Sequence, residues 1–308
     1  MTQAFSVARA AALVAAAGGL LLGCASQAPA PVAAKVVVTP GCLSEAQVGE
    51  WMISHNARQP AFNPPELMTA ADAACTRARL QQRLADQYGP LVGYKAGLTN
   101  PAVQKRFNTN QPVWGALYQG MLLKNGAVLD PKFGARPLFE ADLLVRVKDV
   151  GINDAKTPAE VLAHVSEIIP FMELPDLVVL APPKLNGNGV SAINVGARAG
   201  VLGKALKVPS DAAAQARLLE QLRDMNVRVT DGSGALLDAG KGSDVLGQPL
   251  NAVVWLVGAL KTEGLALQPG QLVSLGSFSK LMPPKPGLKV TVSYDGVSGL
   301  QPVSASFE

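Results

Sequence analysis

The chain has 308 residues, of which 48% are hydrophobic and only 16% are charged, a balance typical of a globular protein. The formal net charge is +4 and the basic residues are scattered, so the sequence gives no indication of nucleic-acid binding. The sequence contains no CxxC motif and no Cys/His cluster, which argues against a structural zinc site.

The first 23 residues have the pattern of a bacterial lipoprotein signal peptide. One positive charge precedes the small and apolar stretch 10–22, and Leu21-Leu22-Gly23-Cys24 follows as a lipobox. The apolar stretch is too short and too rich in Ala and Gly for a transmembrane helix. We therefore expect cleavage before Cys24 and lipidation of Cys24 at the periplasmic face of the cell envelope, with Ala25 favouring the outer membrane. An ordinary secretory signal with an incidental cysteine is the alternative.

Residues 24–40 are rich in Ala, Pro and Val, and they predict a flexible tether between the lipid and a folded domain. The remaining chain is long enough for one large domain, which we divide into a helical N-terminal part (41–90) and a strand-rich part (91–308). Cys42 and Cys75 could pair in an oxidising periplasm, or both could be buried and free, and the sequence leaves this open.

Two helices are predicted in the N-terminal part. Ser44–Gln47 is a capping-box pattern followed by apolar residues at helical spacing. A longer helix is predicted to begin at Thr69 and to end at the Gly89-Pro90 pair. His55 and Arg58 are predicted to lie in a solvated loop between the two helices.

From Leu91 onward, short apolar runs separated by glycine and proline predict strands. The predicted strands are 91–99, 139–147, 168–174, 191–196, 227–230, 272–277, 289–294 and 303–307. Predicted helices are a short one capped by Thr157 and two longer ones at 211–225 and 250–263. Because the strands are too short and scattered for βαβ units, the sequence predicts an α+β fold with a mostly antiparallel or mixed sheet.

Two acids, Glu140 and Asp142, interrupt the run 136–147, which otherwise alternates as a half-buried strand. Side chains at i and i+2 of a strand point to one face, so these two carboxylates should project together. Because like charges repel, a hard divalent cation such as Mg²⁺ or Mn²⁺ would relieve this arrangement. With Glu173 in a second short apolar segment, the interpretation is a three-carboxylate metal site on two strands. The alternative is a solvated edge strand with Glu173 in a surface loop.

Six separated motifs resemble the 2-keto-4-pentenoate hydratase family of the fumarylacetoacetate hydrolase superfamily. They are GYKAGLTNPAVQ (93–104), QPVWGALYQGM (111–121), RPLFEADL (136–143), IPFMELPD (169–176), VLGQPLNAVVWLVGAL (245–260) and LQPGQLVSLGSFS (267–279). The resemblance runs in order from about residue 60 to the C-terminus. It implies a helical N-terminal part followed by a mixed β-roll or distorted barrel, the fumarylacetoacetate hydrolase-like catalytic domain, over 91–308.

The resemblance also implies which residues form the site. An E-x-E pair and a later Glu hold Mg²⁺ or Mn²⁺ in the family, and these positions fall on Glu140, Asp142 and Glu173, with Asp142 replacing the second Glu. Glu173 could act as a base instead of a ligand.

Three further positions of the family motifs carry candidate catalytic and substrate-binding groups. The family lysine falls on Lys95, which would carry a proton or clamp the substrate carboxylate; a plain salt bridge to a site acid is the alternative. The hydroxyl of the family's Gly-Ser turn falls on Ser277, with Ser279 nearby. The stretch 186–196 departs from the family pattern, and Asn194 is a candidate for part of the missing polar wall.

The chemistry implied by the resemblance is hydration of a 2-hydroxy-2,4-dienoate to a 4-hydroxy-2-oxoacid by a metal-dependent lyase, in which the cation stabilises enolate charge. Expected partners are a small 2-oxoacid or hydroxydienoate, the membrane through the N-terminal lipid only, and further copies of the chain in a homo-oligomer. One alternative is a non-catalytic envelope lipoprotein that binds a small oxoacid. Others are decarboxylation or C–C hydrolysis on the same scaffold, although hydrolysis needs a histidine base and neither His55 nor His164 is convincingly placed.

Overall fold

Structure is described for residues 37–308 in a computed structural model. The predicted signal peptide, Cys24 and most of the predicted tether lie outside the described residues. Within residues 37–308, none of the helices combines the length and apolar character needed to cross a membrane.

The N-terminal part is helical, and its helices begin at the predicted caps. Helix α1 (Glu45–Ala57) follows Ser44, whose side chain accepts a hydrogen bond from the Gln47 N–H, while the Gln47 side chain accepts one from the Ser44 N–H. Helix α2 (Ala70–Tyr88) has the same reciprocal cap and ends at Gly89. Such caps bind backbone N–H groups that the first turn of a helix cannot pair internally.

The other helices and the strands follow in chain order. The helices are α3 (Pro101–Arg106), α4 (Pro158–Ala163), α5 (Gly187–Ala192), α6 (Ala212–Asp224) and α7 (Asn251–Thr262). The strands are β1 (Leu91–Gly97), β2 (Val113–Tyr118), β3 (Leu122–Lys124), β4 (Ala127–Leu129), β5 (Glu140–Val147), β6 (Val165–Leu174), β7 (Ala199–Leu202), β8 (Leu206–Lys207), β9 (Asn226–Asp231), β10 (Leu236–Lys241), β11 (Leu272–Ser274), β12 (Lys289–Asp295) and β13 (Val303–Phe307).

The strands form two mixed sheets. The larger has the order β2-β1-β11-β5-β6-β7-β3, with β8 also paired to β6, and the smaller has the order β10-β9-β12-β13-β4. Most neighbours are antiparallel, whereas the pairs β1–β11, β3–β7 and β13–β4 are parallel. The predicted mixed α+β fold is confirmed.

Strands β5 and β6 are buried on both faces. Leu143 and Val145 of β5 pack in a core with helices α6 and α7, whereas Leu144, between them, packs in a second core with α1 and α2. The sequence predicts a half-buried strand here, and this is wrong because helices cover the other face as well. Polar groups on these strands are therefore removed from water on either side.

The predicted strand at 191–196 is also wrong. Helix α5 is followed by a tight turn, in which Asn194 and Val195 both have a φ of 54°. That left-handed backbone is incompatible with a strand. The Asn194 amide holds the turn by pairing with both backbone groups of Ala116 on β2. The apolar run by itself predicts a strand. The pairing of Asn194 with Ala116, 78 residues away, cannot be read from the local sequence.

Candidate active site

The three predicted acids come together on adjacent strands. In the antiparallel pairing of β5 with β6, Glu140 lies directly opposite Glu173, and Asp142 lies opposite Phe171. Glu140 and Asp142 are two residues apart on one strand and so project to the same face. All three acids are buried, and the alternative of a solvated edge strand is therefore excluded.

Lys95 is the buried cation beside these acids. It lies on β1, which is separated from β5 by β11 in the sheet order. Its ammonium donates hydrogen bonds to the Glu173 carboxylate and, at 3.1 Å, to the carbonyl oxygen of Val195. The side chains of Lys95 and Glu173 are only 3% and 2% exposed. Lys95 therefore forms the salt bridge that the sequence left open, in a place where water hardly screens its charge.

Asp142 is surrounded by hydrogen-bond donors. Its Oδ1 accepts from the backbone N–H groups of Leu143 at 2.6 Å, Leu275 at 3.2 Å and Gly276 at 3.0 Å. Its Oδ2 accepts from the hydroxyl group of Ser274. Both oxygens of this fully buried carboxyl group are therefore engaged by the protein itself.

The site contains more acids than basic groups, and burial shifts their protonation. Burial raises the pKa of Glu140 well above its usual range, and the nearby charge of Glu173 raises it further, whereas Lys95 opposes the shift. Burial also raises the pKa of Asp142, against its hydrogen bonds from Ser274 and Leu143. Because one ammonium faces three acids, the site gains stability from a bound proton or a further cation.

The donor set fits a cation held by two of the acids rather than three. Within residues 37–308, no group of three or more His, Cys, Asp or Glu is arranged to hold a metal ion. The predicted centre of Glu140, Asp142 and Glu173 stays a prediction, and in this structure hydrogen bonds engage Asp142 while Lys95 pairs with Glu173. Mg²⁺ is usually bound by one or two carboxylates together with water and substrate. The opposed Glu140 and Glu173 match that smaller set.

A cavity of about 550 Å³ reaches Lys95 and Glu140 from the surface, whereas Asp142 and Glu173 lie behind its wall. Lys95 and Glu140 lie at its buried side, and the predicted Ser277 and Ser279 line it as well. Its exposed side includes Arg106 and Lys280. Apolar side chains complete the wall: Leu98, Phe107, Leu177, Val190, Val195 and Phe278. A mainly apolar cavity with few polar groups is typical of a site for a small molecule.

Neither histidine lines this cavity. His55 lies within helix α1 instead of the predicted loop, and it is buried against Tyr88 and Arg198 at 2.7 Å and 3.2 Å. His164 is hydrogen-bonded to Asp149 on another part of the surface. The cavity therefore lacks the histidine base that C–C hydrolysis would need.

Sequence reasoning missed three features of the site. Ser274 and the carbonyl of Val195 bind the charged groups, and Arg106 lines the cavity. A β-branched residue in a left-handed turn gives no signal in a single sequence. Ser274 lies inside the motif 267–279, and Arg106 lies two residues after the motif 93–104. Their position in or near these motifs is the signal from which they could have been predicted.

The chain is similar in sequence to decarboxylases and hydratases of small organic acids. No protein-family model matches it. It is 27% identical to the 4-oxalocrotonate decarboxylase of Pseudomonas putida over 254 residues, which cover 82% of this chain and 91% of the decarboxylase. It is 29% identical to 2-keto-4-pentenoate hydratase 1 of Dechloromonas aromatica over 220 residues, which cover 70% of this chain and 78% of the hydratase.

The fold is similar to that of a solved decarboxylase. The 4-oxalocrotonate decarboxylase from Pseudomonas putida G7, complexed with magnesium and adipate, superimposes with a TM-score of 0.75 at 25% identity and covers 86% of this chain and 99% of its own. A second structure of that enzyme is complexed with calcium and acetate. These relatives support the family predicted from the motifs and indicate that the protein is an enzyme built on the fumarylacetoacetate hydrolase scaffold.

Proposed function

We propose that the protein is a metal-dependent lyase that hydrates a 2-hydroxy-2,4-dienoate to a 4-hydroxy-2-oxoacid. The observation that carries this proposal is the buried Lys95–Glu173 ion pair beside Glu140, at the inner side of a mainly apolar cavity. A cavity of this kind suits a short unsaturated chain with one charged end. The hydratase among the relatives supports the same substrate class.

Lys95 is suited to hold the charged end of the substrate. Its ammonium can donate to the substrate's carboxylate or C2 oxygen, where negative charge increases as the enolate forms, and in a buried site this attraction is strong. A bound Mg²⁺ or Mn²⁺, held by Glu140 and Glu173, would supply Lewis-acid chemistry at the same oxygens. The raised pKa of Glu140 then couples binding of the cation to release of a proton.

Glu173 is the candidate base in the arrangement in which it is not a ligand, and Glu140 would then hold the cation together with water and the substrate. In ketonisation the enol loses its hydroxyl proton and C5 gains a proton; water then adds across C3 and C4, with its oxygen at C4. When the substrate takes over hydrogen bonds of the Lys95 ammonium, the Glu173 carboxylate becomes able to accept the proton of the attacking water. The apolar wall excludes other water from the enolate.

The test measures turnover and metal binding together. The full-length protein, purified in detergent, is given 2-hydroxypenta-2,4-dienoate with Mg²⁺ or Mn²⁺, and loss of the dienoate absorbance is followed before and after addition of EDTA. We expect turnover that requires the cation and is lost in Glu173→Gln. A protein that binds the cation in calorimetry but does not consume the dienoate would overturn the hydration proposal and favour another oxoacid. A protein that shows neither turnover nor cation binding would favour the non-catalytic alternative.

A second candidate reaction is decarboxylation of a dicarboxylic 2-oxoacid. Arg106, the last residue of α3, lines the cavity and forms no ion pair within residues 37–308. It could bind a second carboxylate at the far end of a longer substrate. The C–C bond to a carboxylate would then break, CO₂ would leave, and the electron pair would pass to the C2 oxygen beside Lys95. Consumption of 4-oxalocrotonate that falls in Arg106→Gln, with hydration of the monocarboxylate unchanged, would favour this reaction.

We further propose that Cys24 carries a lipid anchor that holds the enzyme at the periplasmic face of the outer membrane. The lipobox supports this, as does the disulfide between Cys42 and Cys75, because disulfides persist in oxidising compartments. Membrane fractionation tests it, and Cys24→Ser is expected to move the protein to the soluble periplasmic fraction. A variant that stays in the membrane would contradict the anchor.

The homo-oligomer stays a prediction that light scattering can check.

A further inference from the structure

The donors to Asp142 come mostly from one short segment. Ser274 is the last residue of β11, and Leu275 and Gly276 follow it directly. Together they give the carboxyl group one hydroxyl and two backbone N–H groups, all buried. Leu143, the neighbour of Asp142 on β5, supplies the remaining N–H. Asp142 thus joins β5 to the point where the chain leaves β11.

That point is also where the chain enters the cavity wall. Gly276, Ser277, Phe278 and Ser279 all line the cavity. The backbone of Gly276 has a φ of 100°, and a Cβ there would clash with the Thr99 hydroxyl group, so the turn requires glycine at this position. The Ser277 hydroxyl, next along the chain, donates to the Ser279 carbonyl at 2.6 Å and accepts from the Ser279 N–H at 3.2 Å, and Ser277 lines the same cavity as Glu140. The position of the turn therefore decides where the Ser277 hydroxyl lies relative to Glu140 in the cavity wall.

The length of the Asp142 side chain matters for the position of this turn. Asp142 lies two residues along β5 from Glu140, and its carboxyl group reaches donors in the neighbouring strand without leaving the protein interior. Turning that group toward a cation would leave three N–H groups and a hydroxyl group buried without an acceptor. A glutamate would place its carboxyl group one methylene further on, past the fixed backbone donors.

We propose that Asp142 is a positioning residue, which fixes the turn at 275–277 against Glu140, and that it is not a ligand of the catalytic cation. The replacement of Glu by Asp in the E-x-E motif then exchanges a ligand for a buried anchor. The positioning role does not depend on which reaction the cavity performs. The statement that Asp142 is not a ligand rests on the proposed function, because it concerns the cation of that function.

The test compares variants of Asp142 with a matched variant of its neighbour. Asp142→Asn and Asp142→Glu are made in the full-length protein, with Glu140→Gln as the control on the same strand. Amide hydrogen exchange of the peptide 274–279 is followed by mass spectrometry, and Mn²⁺ binding is measured by calorimetry. Ser274→Ala is included because it removes only one donor and leaves the carboxyl group in place.

We expect both Asp142 variants and Ser274→Ala to accelerate exchange in 274–279 by about tenfold or more, because a lost hydrogen bond frees the turn. Exchange in the peptides of α6 and α7 should not change, which separates a local role from general destabilisation. Ser274→Ala should keep the Mn²⁺ affinity, and Glu140→Gln should weaken it while leaving exchange in 274–279 unchanged.

The opposite pattern would overturn the inference. If Asp142 were a ligand weakened by its short side chain, Asp142→Glu would bind Mn²⁺ more tightly and exchange in 274–279 would stay slow. Unchanged exchange in Asp142→Asn together with lost Mn²⁺ binding would have the same meaning. If the wild-type protein binds no Mn²⁺, the proposed function fails at its cation, while faster exchange in Asp142→Asn and Ser274→Ala still supports the anchor.

Discussion

At the scale of single residues, the Lys95–Glu173 pair is the feature most sensitive to change. Both side chains are almost completely buried, so removal of one partner leaves an uncompensated charge in the interior. Such losses typically cost about 3–5 kcal/mol. We expect Lys95→Met to lower the free energy of unfolding by about that amount, measured by urea denaturation, and to abolish turnover of the dienoate.

The double variant Lys95→Met/Glu173→Gln provides the control. It replaces both charges by neutral groups of similar shape, and this change is often neutral for stability. We expect most of the lost stability to return without any return of turnover. A single variant Lys95→Met as stable as the wild-type protein would contradict the buried ion pair.

His55 should make the protein sensitive to acid. Burial, together with the charge of Arg198, lowers the pKa of His55 to about 3. Arg198 donates to Nδ1, so a proton added there would face the guanidinium group. Between pH 6.5 and about 3 the unfolded chain binds this proton and the folded protein does not. The free energy of unfolding should therefore fall as the pH drops through this window.

The variant His55→Gln tests the origin of this acid sensitivity. Gln can still hydrogen-bond to Tyr88 but does not titrate. We expect a lower melting temperature than that of the wild-type protein at neutral pH, together with a shallower decrease as the pH is lowered from 6.5 toward 3. Parallel melting curves for the two proteins across that range would show that His55 is not the group responsible.

At the scale of elements, local chemistry was predictable and long-range pairing was not. The N-terminal ends of α1, α2 and α6 follow from side chains that cap them within three residues, so the sequence contains the whole interaction. The acids of β5 and β6 follow from alternation and from the family motifs. The donors to Asp142 do not, because Ser274 lies 132 residues further along the chain.

The turn Asn194–Gly196 is held by the side chain of one residue, Asn194. Val195 has a left-handed backbone, which is costly for a β-branched residue and persists only where surrounding contacts impose it. The Asn194 amide pairs with the N–H of Ala116 at 2.8 Å and with its carbonyl at 3.0 Å, and it also accepts a hydrogen bond from Gln81. The same turn places the Val195 carbonyl where it accepts a hydrogen bond from the Lys95 ammonium.

Asn194→Ala should therefore destabilise the protein strongly. Two buried backbone groups of Ala116 would lose their partners, each at about 1–3 kcal/mol. We expect a loss of about 2–4 kcal/mol in urea denaturation. Asn188→Ala is the matched control, because that amide makes one hydrogen bond, to the Met68 carbonyl, and should cost about 1 kcal/mol. Equal losses in the two variants would contradict the special role of Asn194.

At the scale of the whole molecule, the site lies where two hydrophobic cores meet. One core contains the side chains of one face of β5 and β6 together with α6 and α7, and the other contains the opposite face together with α1 and α2. The acids at the ends of these strands are therefore shielded from water on both sides. This burial raises the pKa of Glu140, and in the proposed reaction it would strengthen the attraction of the Lys95 charge for an enolate.

The disulfide between Cys42 and Cys75 fixes the start of the folded chain to helix α2. Thr39 and Gly41 reinforce this attachment by donating hydrogen bonds to the Asp72 carboxylate. The proposed lipid anchor at Cys24 would therefore act on a domain whose first described residues are already held to α2. Formation of the Cys42–Cys75 disulfide therefore helps to hold the first residues of the domain in place.

Reduction of this disulfide should destabilise the whole domain. The bridge links residues 33 positions apart, and by the chain-entropy estimate a loop of this size contributes about 3–4 kcal/mol. We expect dithiothreitol to lower the free energy of unfolding by about that amount, and Cys42→Ser/Cys75→Ser to show the same loss without any response to dithiothreitol. A wild-type protein whose unfolding midpoint is the same with and without the reductant would refute the prediction. The expected result would make folding depend on an oxidising compartment, which is the physical condition that the proposed envelope location provides.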